Sequence, residues 1–116
     1  MPSKNEPIKY TAKDLGYPRT STKAMYRVEM PDGSHWEVPV QVIADSRDHH
    51  YREDKEDTIG FIRDGSLDQF EITDWAANNM NWSDVEQFAI RAIFPTNPVD
   101  YEEGWCNGEK EIVGEL

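Results

Sequence analysis

A β-hairpin signal constrains the fold of this chain more than any other feature. Residues 25–30, MYRVEM, alternate in side-chain character as a half-buried strand does. The turn sequence Pro31-Asp32-Gly33-Ser34 follows, and Asp-Gly between two strand-like runs is a strong hairpin signal. The return strand is HWEV, residues 35–38, with Trp36 and Val38 on one face. We therefore predict an antiparallel hairpin over residues 25–38.

Two helices are predicted after the hairpin. Pro39 suits the first turn of a helix, and apolar residues at helical spacing follow it, so we predict a helix from Pro39 to Glu53. The charged run that follows, residues 53–57, is predicted to be a solvated loop. Ser66 and Gln69 are spaced as a capping box, which favours a second helix within residues 67–79. In the alternative, residues 71–74 finish a strand, and Thr73 caps a shorter helix that begins at Asp74.

The C-terminal third carries one ambiguous signal and one hairpin signal. Ser83 and Glu86 are spaced as a capping box, which favours a third helix over residues 84–92. The alternative is a strand over residues 88–94, where apolar residues also alternate, and it stays open. Asn107-Gly108 lies between residues 101–106 and 109–113 and predicts a second hairpin. The predicted fold is α+β: a small antiparallel sheet from two hairpins, with two to three helices packed on it.

Charge is distributed unevenly along the 116 residues. The chain has 12 basic and 23 acidic residues and a net charge of -11. Residues 1–30 hold six basic and three acidic side chains, whereas residues 31–116 hold six basic and twenty acidic ones. The first residues are also rich in Ser, Thr, Pro and Lys. We predict a loosely ordered basic N-terminal arm over residues 1–22 and a single α+β domain over residues 23–116.

Composition argues against several classes of protein. The strong negative charge disfavours direct binding of nucleic acid and docking on an anionic membrane. No apolar run approaches the roughly 20 residues that span a bilayer, and the N-terminus has no signal-peptide pattern. The single cysteine, Cys106, cannot form an internal disulfide, so we expect a cytoplasmic protein.

Motifs for catalysis or for a cofactor are absent from the sequence. There is no Gly-rich phosphate loop, no nucleophile elbow and no His-Glu-x-x-His motif, so we predict no catalytic residue, no cofactor and no enzyme. Asp45, His49 and His50 could converge on one helix, but a structural zinc site normally takes four Cys or His ligands. Residues 64–71 match only half of a calcium-binding loop. We therefore predict no metal site.

Acidic residues concentrate between residues 45 and 74. Carboxylates three or four positions apart on a helix stand about 5–6 Å apart at Cβ, and a rigid array of them can occupy a basic nucleic-acid-binding groove. Solubility is the simpler explanation of the same charge. The predicted binding surface consists of Asp45, Asp48, Glu53, Asp54, Glu56 and Asp57.

Two alternatives place the function elsewhere. In one, aromatic residues such as Trp36 and Tyr51 form the protein interface, because aromatic residues dominate binding energy at interfaces. In the other, the protein binds a small ligand or a metal in a pocket lined by His49 and His50. A homodimer also stays open.

Three stretches carry a family resemblance: MYRVEMPDGSHWEVPVQVIADSRDHHYRE, FEITDWAANNMNWSDV and VDYEEGWCNGEKEIV. Together they cover about half of the chain. They resemble small acidic uncharacterised proteins encoded by bacteriophages and related mobile elements. The resemblance implies a setting in the cytoplasm of a bacterial host and carries over no activity. Small acidic phage proteins are often inhibitors of host machinery, so the resemblance favours the hypothesis of nucleic-acid mimicry without identifying a target. It assigns no role to any single residue.

Overall fold

The predicted hairpin over residues 25–38 is confirmed. The structure is a computed structural model that describes residues 15–91 and 101–116. Asp32 Oδ1 accepts a hydrogen bond from the Ser34 amide at 2.9 Å, and Gly33 has a φ of 85°, a conformation that glycine adopts without steric cost. Val28 lies opposite Trp36 in the antiparallel register. The local turn chemistry thus sets the pairing of the two strands.

The described residues form an α+β fold, as predicted. A four-stranded antiparallel sheet runs in the order β3-β2-β1-β4, and five α-helices and two short 3-10 turns connect or cover its strands. In chain order the elements are β1 (Met25–Glu29), β2 (His35–Pro39), α1 (Val40–His50), a 3-10 turn (Arg52–Asp54), α2 (Thr58–Arg63), α3 (Phe70–Asn79), α4 (Trp82–Val85), a 3-10 turn (Glu86–Phe88), β3 (Ile90–Arg91), α5 (Tyr101–Asn107) and β4 (Lys110–Val113).

The second predicted hairpin is wrong. Residues 101–107 form α5 instead of a strand, and the Gly108 amide donates to the Gly104 carbonyl at 2.8 Å. α5 places Trp105 in the core, where its side chain is fully buried, and β4 then pairs with β1. Burial of one large aromatic side chain therefore outweighs the local turn signal of Asn107-Gly108.

The helical predictions are partly confirmed. α1 begins directly after Pro39, and it buries Val40, Ile43 and Ala44. α3 begins three residues later than the predicted limit, because Ser66 donates to Asp64 instead of capping the helix. The strand alternative for residues 71–74 is wrong, since these residues are helical.

α2 and α4 depart further from the prediction. α2 lies in a segment with no helical prediction, and the side chain of Asp57 caps it by accepting from the Gly60 amide. α4 uses Asn81 and Asp84 as its capping box, not Ser83 and Glu86, and it ends at Val85. The predicted helix over residues 84–92 is therefore wrong, whereas β3 confirms a short piece of the strand alternative. Residues 92–94 of that alternative lie outside the described residues.

The core lies between one face of the sheet and the helices. Tyr26, Val28 and Val38 project from the sheet and are fully buried. Trp105 packs edge-on against Tyr26, with ring centroids 5.4 Å apart. Trp75, Trp82 and Trp105 join the helices to the sheet, as predicted. Among the described residues, no helix has the length and apolar character needed to cross a membrane.

Residues 15–22 of the predicted loose arm pack on the domain. Tyr17 donates its hydroxyl hydrogen to the Glu56 carbonyl at 2.5 Å, and the Thr22 amide donates to Gln41 Oε1 at 2.8 Å. The side chain of Arg19 is only 2% exposed. This part of the arm is therefore an integral layer of the fold, and residues 1–14 of the predicted arm lie outside the described residues.

Candidate binding surface

Two of the six predicted surface carboxylates, Asp45 and Asp48, are buried. They therefore lie inside the molecule and not on the predicted acidic surface. They lie one turn apart on α1 and converge on one guanidinium. Arg19 Nη2 lies 2.5 Å from Asp45 Oδ1, and Arg19 Nη1 lies 2.6 Å from Asp48 Oδ2. Both carboxylates thus bind the chain's own arginine and are not available to a partner.

Further hydrogen bonds complete this buried site. Thr58 donates to Asp48 Oδ1 through its amide at 2.9 Å and its hydroxyl at 2.5 Å, which joins α1 to α2. Burial raises the pKa of Asp45 and outweighs the hydrogen bonds from Gln41 and Arg19. Burial also acts to lower the pKa of Arg19, but its bonds to Asp48 and Asp45 outweigh that effect and raise it. The guanidinium is therefore held firmly in its charged form.

Glu56 and Asp57 are also used within the molecule. Both carboxylate oxygens of Asp57 lie 3.0 Å from the Thr20 amide, and Oδ2 accepts from the Thr20 hydroxyl at 2.7 Å. Glu56 Oε1 lies 3.3 Å from Arg47 Nη1. These two half-buried residues connect residues 15–22 and α1 to the start of α2, so their placement is structural.

Glu53 and Asp54 are the two members of the predicted surface that are exposed. They lie in the 3-10 turn after α1, between Arg52 and Lys55, which are exposed as well. The local charge is therefore balanced. The structure does not bring the six predicted residues together as one exposed acidic surface.

The two predicted interface aromatics have different surroundings. Trp36 is half-buried and packs edge-on against Trp82 with ring centroids 5.6 Å apart, so it belongs to the packing of β2. Tyr51 ends α1 and is 37% exposed. Its ring lies 5.9 Å from the ring of Trp75, and the guanidinium carbon of Arg47 lies 5.0 Å from its centroid. Of the two, Tyr51 is the surface residue.

The two histidines of the ligand alternative lie beside Tyr51. The ring of His50 contacts Trp75 at 5.2 Å, and His49 and His50 line an open groove of about 280 Å³ with Ser46, Arg52 and Asn79. In the part of the chain that the structure describes, no group of three or more His, Cys, Asp or Glu side chains is placed to hold a metal ion.

A stretch of chain with carboxylates and no cation of its own forms α3 and α4. Between Arg63 and Arg91 the chain contains no Lys, Arg or His, and it contains six acidic residues there: Asp64, Asp68, Glu71, Asp74, Asp84 and Glu86. Glu71 and Asp84 are half-buried, and the other four are exposed. Arg63 is directed away, since it donates to the backbone carbonyls of Ser21 and Leu116. No nearby cation along the chain offsets these carboxylates.

Part of this charge lies on α3 and in the segment just before it, and we call it the α3 acidic face: Asp68 in that segment, and Glu71 and Asp74 on the helix that begins at Phe70. The opposite face of α3 buries Ile72, Trp75 and Ala76 against the core. Asp68 Oδ1 accepts from the Phe70 amide at 2.7 Å, and Asp74 Oδ1 accepts from Asn78 Nδ2 at 3.0 Å. Glu71 and Asp74 are therefore displayed on a packed helix, and Asp68 is bonded to the first residue of that helix.

The sequence contains a signal for this face that a count of acidic residues misses. The count favours residues 45–57, where basic residues are interspersed and several carboxylates become internal ligands. The signal is instead a long stretch without any basic residue, and residues 64–90 form that stretch. The chain matches no protein-family model, no curated protein and no solved structure. The functional evidence is therefore the geometry and charge of the α3 acidic face.

Proposed function

We propose that this protein is a non-enzymatic binding protein of a bacteriophage or related mobile element. In this proposal the α3 acidic face contacts the basic, nucleic-acid-binding surface of a host or phage protein in the bacterial cytoplasm and modulates it. One observation carries the proposal: residues 64–90 hold six carboxylates and no cation, and four of the six are exposed.

The physical basis is the electrostatic field of neighbouring carboxylates. Glu71 and Asp74 are three positions apart on α3, so their Cβ atoms stand about 5–6 Å apart. Carboxylates at this spacing reinforce one another and attract the same Lys and Arg side chains that bind phosphates. Complementary charge of this kind accelerates association and selects basic partners. We therefore expect binding that weakens strongly as salt is added.

Charge elsewhere in the described part of the molecule supports this location. On the outer face of the sheet, Arg27 lies between Glu37 and Glu111, at 2.6 Å and 3.1 Å. Asp45 and Asp48 share the single cation of Arg19 in the interior. Carboxylates in the sheet and in α1 are therefore paired with cations, whereas the α3 acidic face has no cation in its own stretch of chain.

A second candidate uses Tyr51 as an aromatic anchor. Tyr51 is exposed, and its ring is held by contacts with His50, Trp75 and Arg47, so it could enter a partner's pocket with little loss of conformational freedom. Binding through Tyr51 would respond little to salt. Salt dependence therefore distinguishes the two candidates.

Retention of a partner at increasing salt tests the proposal. The tagged full-length chain is immobilised, a nuclease-treated bacterial lysate is applied at low ionic strength, and bound proteins are eluted with a salt gradient. We expect a nucleic-acid-handling protein that elutes at moderate salt and is retained equally by Tyr51→Ala. A partner that resists high salt and is lost with Tyr51→Ala would establish the second candidate. A low-salt eluate without any partner contradicts both.

A further inference from the structure

Phe70 is the most exposed large hydrophobic residue among those that the structure describes. Its side chain lies in the first turn of α3 and is 63% exposed, whereas Ile72, Trp75 and Ala76 on the same helix are buried. Large aromatic residues normally stabilise a fold by burying their side-chain area. Phe70 buries little of its side chain, so it contributes little to the core. Its exposed ring is therefore available to a partner.

The position of Phe70 is fixed by its helix. The Phe70 amide donates to Asp68 Oδ1 at 2.7 Å, and the Ile72 amide donates to the Gln69 carbonyl at 3.1 Å. Further along α3, Trp75 Nε1 donates to Ser46 Oγ of α1 at 3.0 Å. The aromatic side chain is therefore presented on a docked helix and not on a free loop.

Carboxylates lie beside Phe70 along the chain. Asp68 bonds the Phe70 amide, Glu71 is the next residue, and Asp74 follows one helical turn later. An exposed aromatic ring with carboxylates on neighbouring residues has the chemistry of an unstacked nucleotide, in which a base stands beside phosphates. A duplex offers no such unit, because its bases are stacked inside the helix and its phosphates lie outside.

Single-stranded nucleic acids do offer this unit to the proteins that bind them. Those proteins combine a basic groove for the backbone with aromatic side chains on which successive bases stack. Each stacked base contributes substantially to affinity, and any ring with a π face is accepted. The α3 acidic face is complementary to both parts of such a site.

We infer that the partner's binding site is a single-stranded nucleic-acid site, an inference that rests on the proposed function. Phe70 stacks on an aromatic side chain of the partner in the place of a base. Asp68, Glu71 and Asp74 contact the Lys and Arg side chains that otherwise hold phosphates. The protein therefore competes with single strands for its partner and does not compete with duplex DNA.

Displacement of labelled oligo(dT) tests this inference. The probes are three purified single-strand binders: a bacterial OB-fold single-stranded-DNA-binding protein, a cold-shock protein and an RNA-recognition-motif domain. A histone-like protein bound to labelled duplex DNA serves as the comparison. We expect the full-length chain to displace oligo(dT) from at least one single-strand binder and to leave the duplex complex intact.

Variants at two equally exposed positions, Phe70 and Ile90, show whether the Phe70 ring contributes to displacement. Phe70→Ala should raise the concentration for half-displacement about tenfold or more, because it removes one stacking contact, whereas Phe70→Tyr should retain displacement. Ile90→Ala is the matched control, since Ile90 is 62% exposed on β3, and it should leave displacement unchanged.

The remaining outcomes overturn the inference. They are the absence of displacement from all three single-strand binders, or displacement that Phe70→Ala does not weaken. Displacement from the duplex complex alone also overturns it, although the proposed function then stands. The salt-gradient experiment decides the proposed function independently, so the two failures are distinguishable.

Discussion

Arg19 Nη1 lies 2.6 Å from Asp48 Oδ2, and the exposed fractions of the two side chains are only 2% and 1%. This ion pair joins a residue of the predicted basic arm to a residue of the predicted acidic surface, and it places both inside the molecule. The charge imbalance between the two ends of the chain is thus partly resolved within the fold. Only carboxylates that are not bound by a cation of the same chain are available to a partner.

Arg19→Ala should destabilise the domain strongly. The substitution leaves Asp45 and Asp48 close together in the interior without their cation, and breaking a buried ion pair in this way costs about 3–5 kcal/mol. Urea denaturation followed by circular dichroism measures the free energy of unfolding.

Arg27→Ala is the matched control for that substitution. Arg27 also lies between two carboxylates, Glu37 and Glu111, but its ion pairs are on the solvated outer face of the sheet. Solvent replaces such pairs at little cost, so the loss should be a small fraction of that for Arg19. Equal losses for the two arginines would contradict the role given to burial.

Asp57→Ala should also lower the free energy of unfolding, by about 1–2 kcal/mol. It removes the cap on the Gly60 amide at the start of α2 and the bonds to Thr20. Asp54→Ala, three residues earlier and exposed, should change stability by much less. Thermal unfolding of both variants checks the difference, and a loss for Asp54 as large as that for Asp57 would show that the assigned contacts do not govern stability.

Trp105→Phe should destabilise the domain more than Trp75→Phe. Trp105 Nε1 donates to the carbonyls of Ala76 and Met80, each at 3.1 Å, and a buried acceptor left without its donor costs about 1–3 kcal/mol. Trp75 Nε1 donates to the hydroxyl of half-buried Ser46, which water can reach. Urea midpoints of the two variants provide the comparison, and the reverse order would refute the assignment.

Alkaline pH should weaken the fold through Tyr26. Burial raises the pKa of Tyr26 from 10.0 to about 12, so the unfolded chain loses this proton before the folded one does. The contribution is complete below pH 10 and is lost as pH rises toward 12, with a total on the order of 3 kcal/mol.

Tyr26→Phe isolates this contribution. The variant lacks the hydroxyl, so its stability should fall less between pH 10 and pH 12 than that of the wild type. Denaturation at several alkaline pH values gives both curves. Parallel curves would mean that Tyr26 titrates at its ordinary pKa in the folded protein.

Features encoded by adjacent residues were predictable from the sequence. The hairpin follows from Asp32-Gly33 between two alternating runs, and α1 follows from Pro39 and the apolar spacing behind it. In each of these cases the signal and the structure it specifies lie within a few residues. The α+β class follows from the same local signals.

Features that depend on distant residues were not predictable. Trp105 makes residues 101–107 helical because its indole reaches carbonyls of Ala76 and Met80, more than twenty positions earlier. Asp48 is internal because Arg19, 29 positions earlier, lies against it. No local pattern distinguishes such a carboxylate from a solvated one, so the predicted acidic surface included residues that the fold uses itself.

The most direct test of the account compares two charge-matched triple variants in binding to the partner retained at low salt. One variant, Asp68→Asn, Glu71→Gln and Asp74→Asn, neutralises the α3 acidic face, and the side-chain amide introduced at position 68 still offers an oxygen to the Phe70 backbone amide. The other, Glu109→Gln, Glu111→Gln and Glu115→Gln, removes the same charge from exposed positions on and beside β4. We predict that the first variant raises Kd about tenfold or more, which is about 1.4 kcal/mol, and flattens its salt dependence, while the Kd of the second stays close to that of the wild type. Equal weakening by both variants would contradict the account, because net charge and not the α3 acidic face would then govern binding.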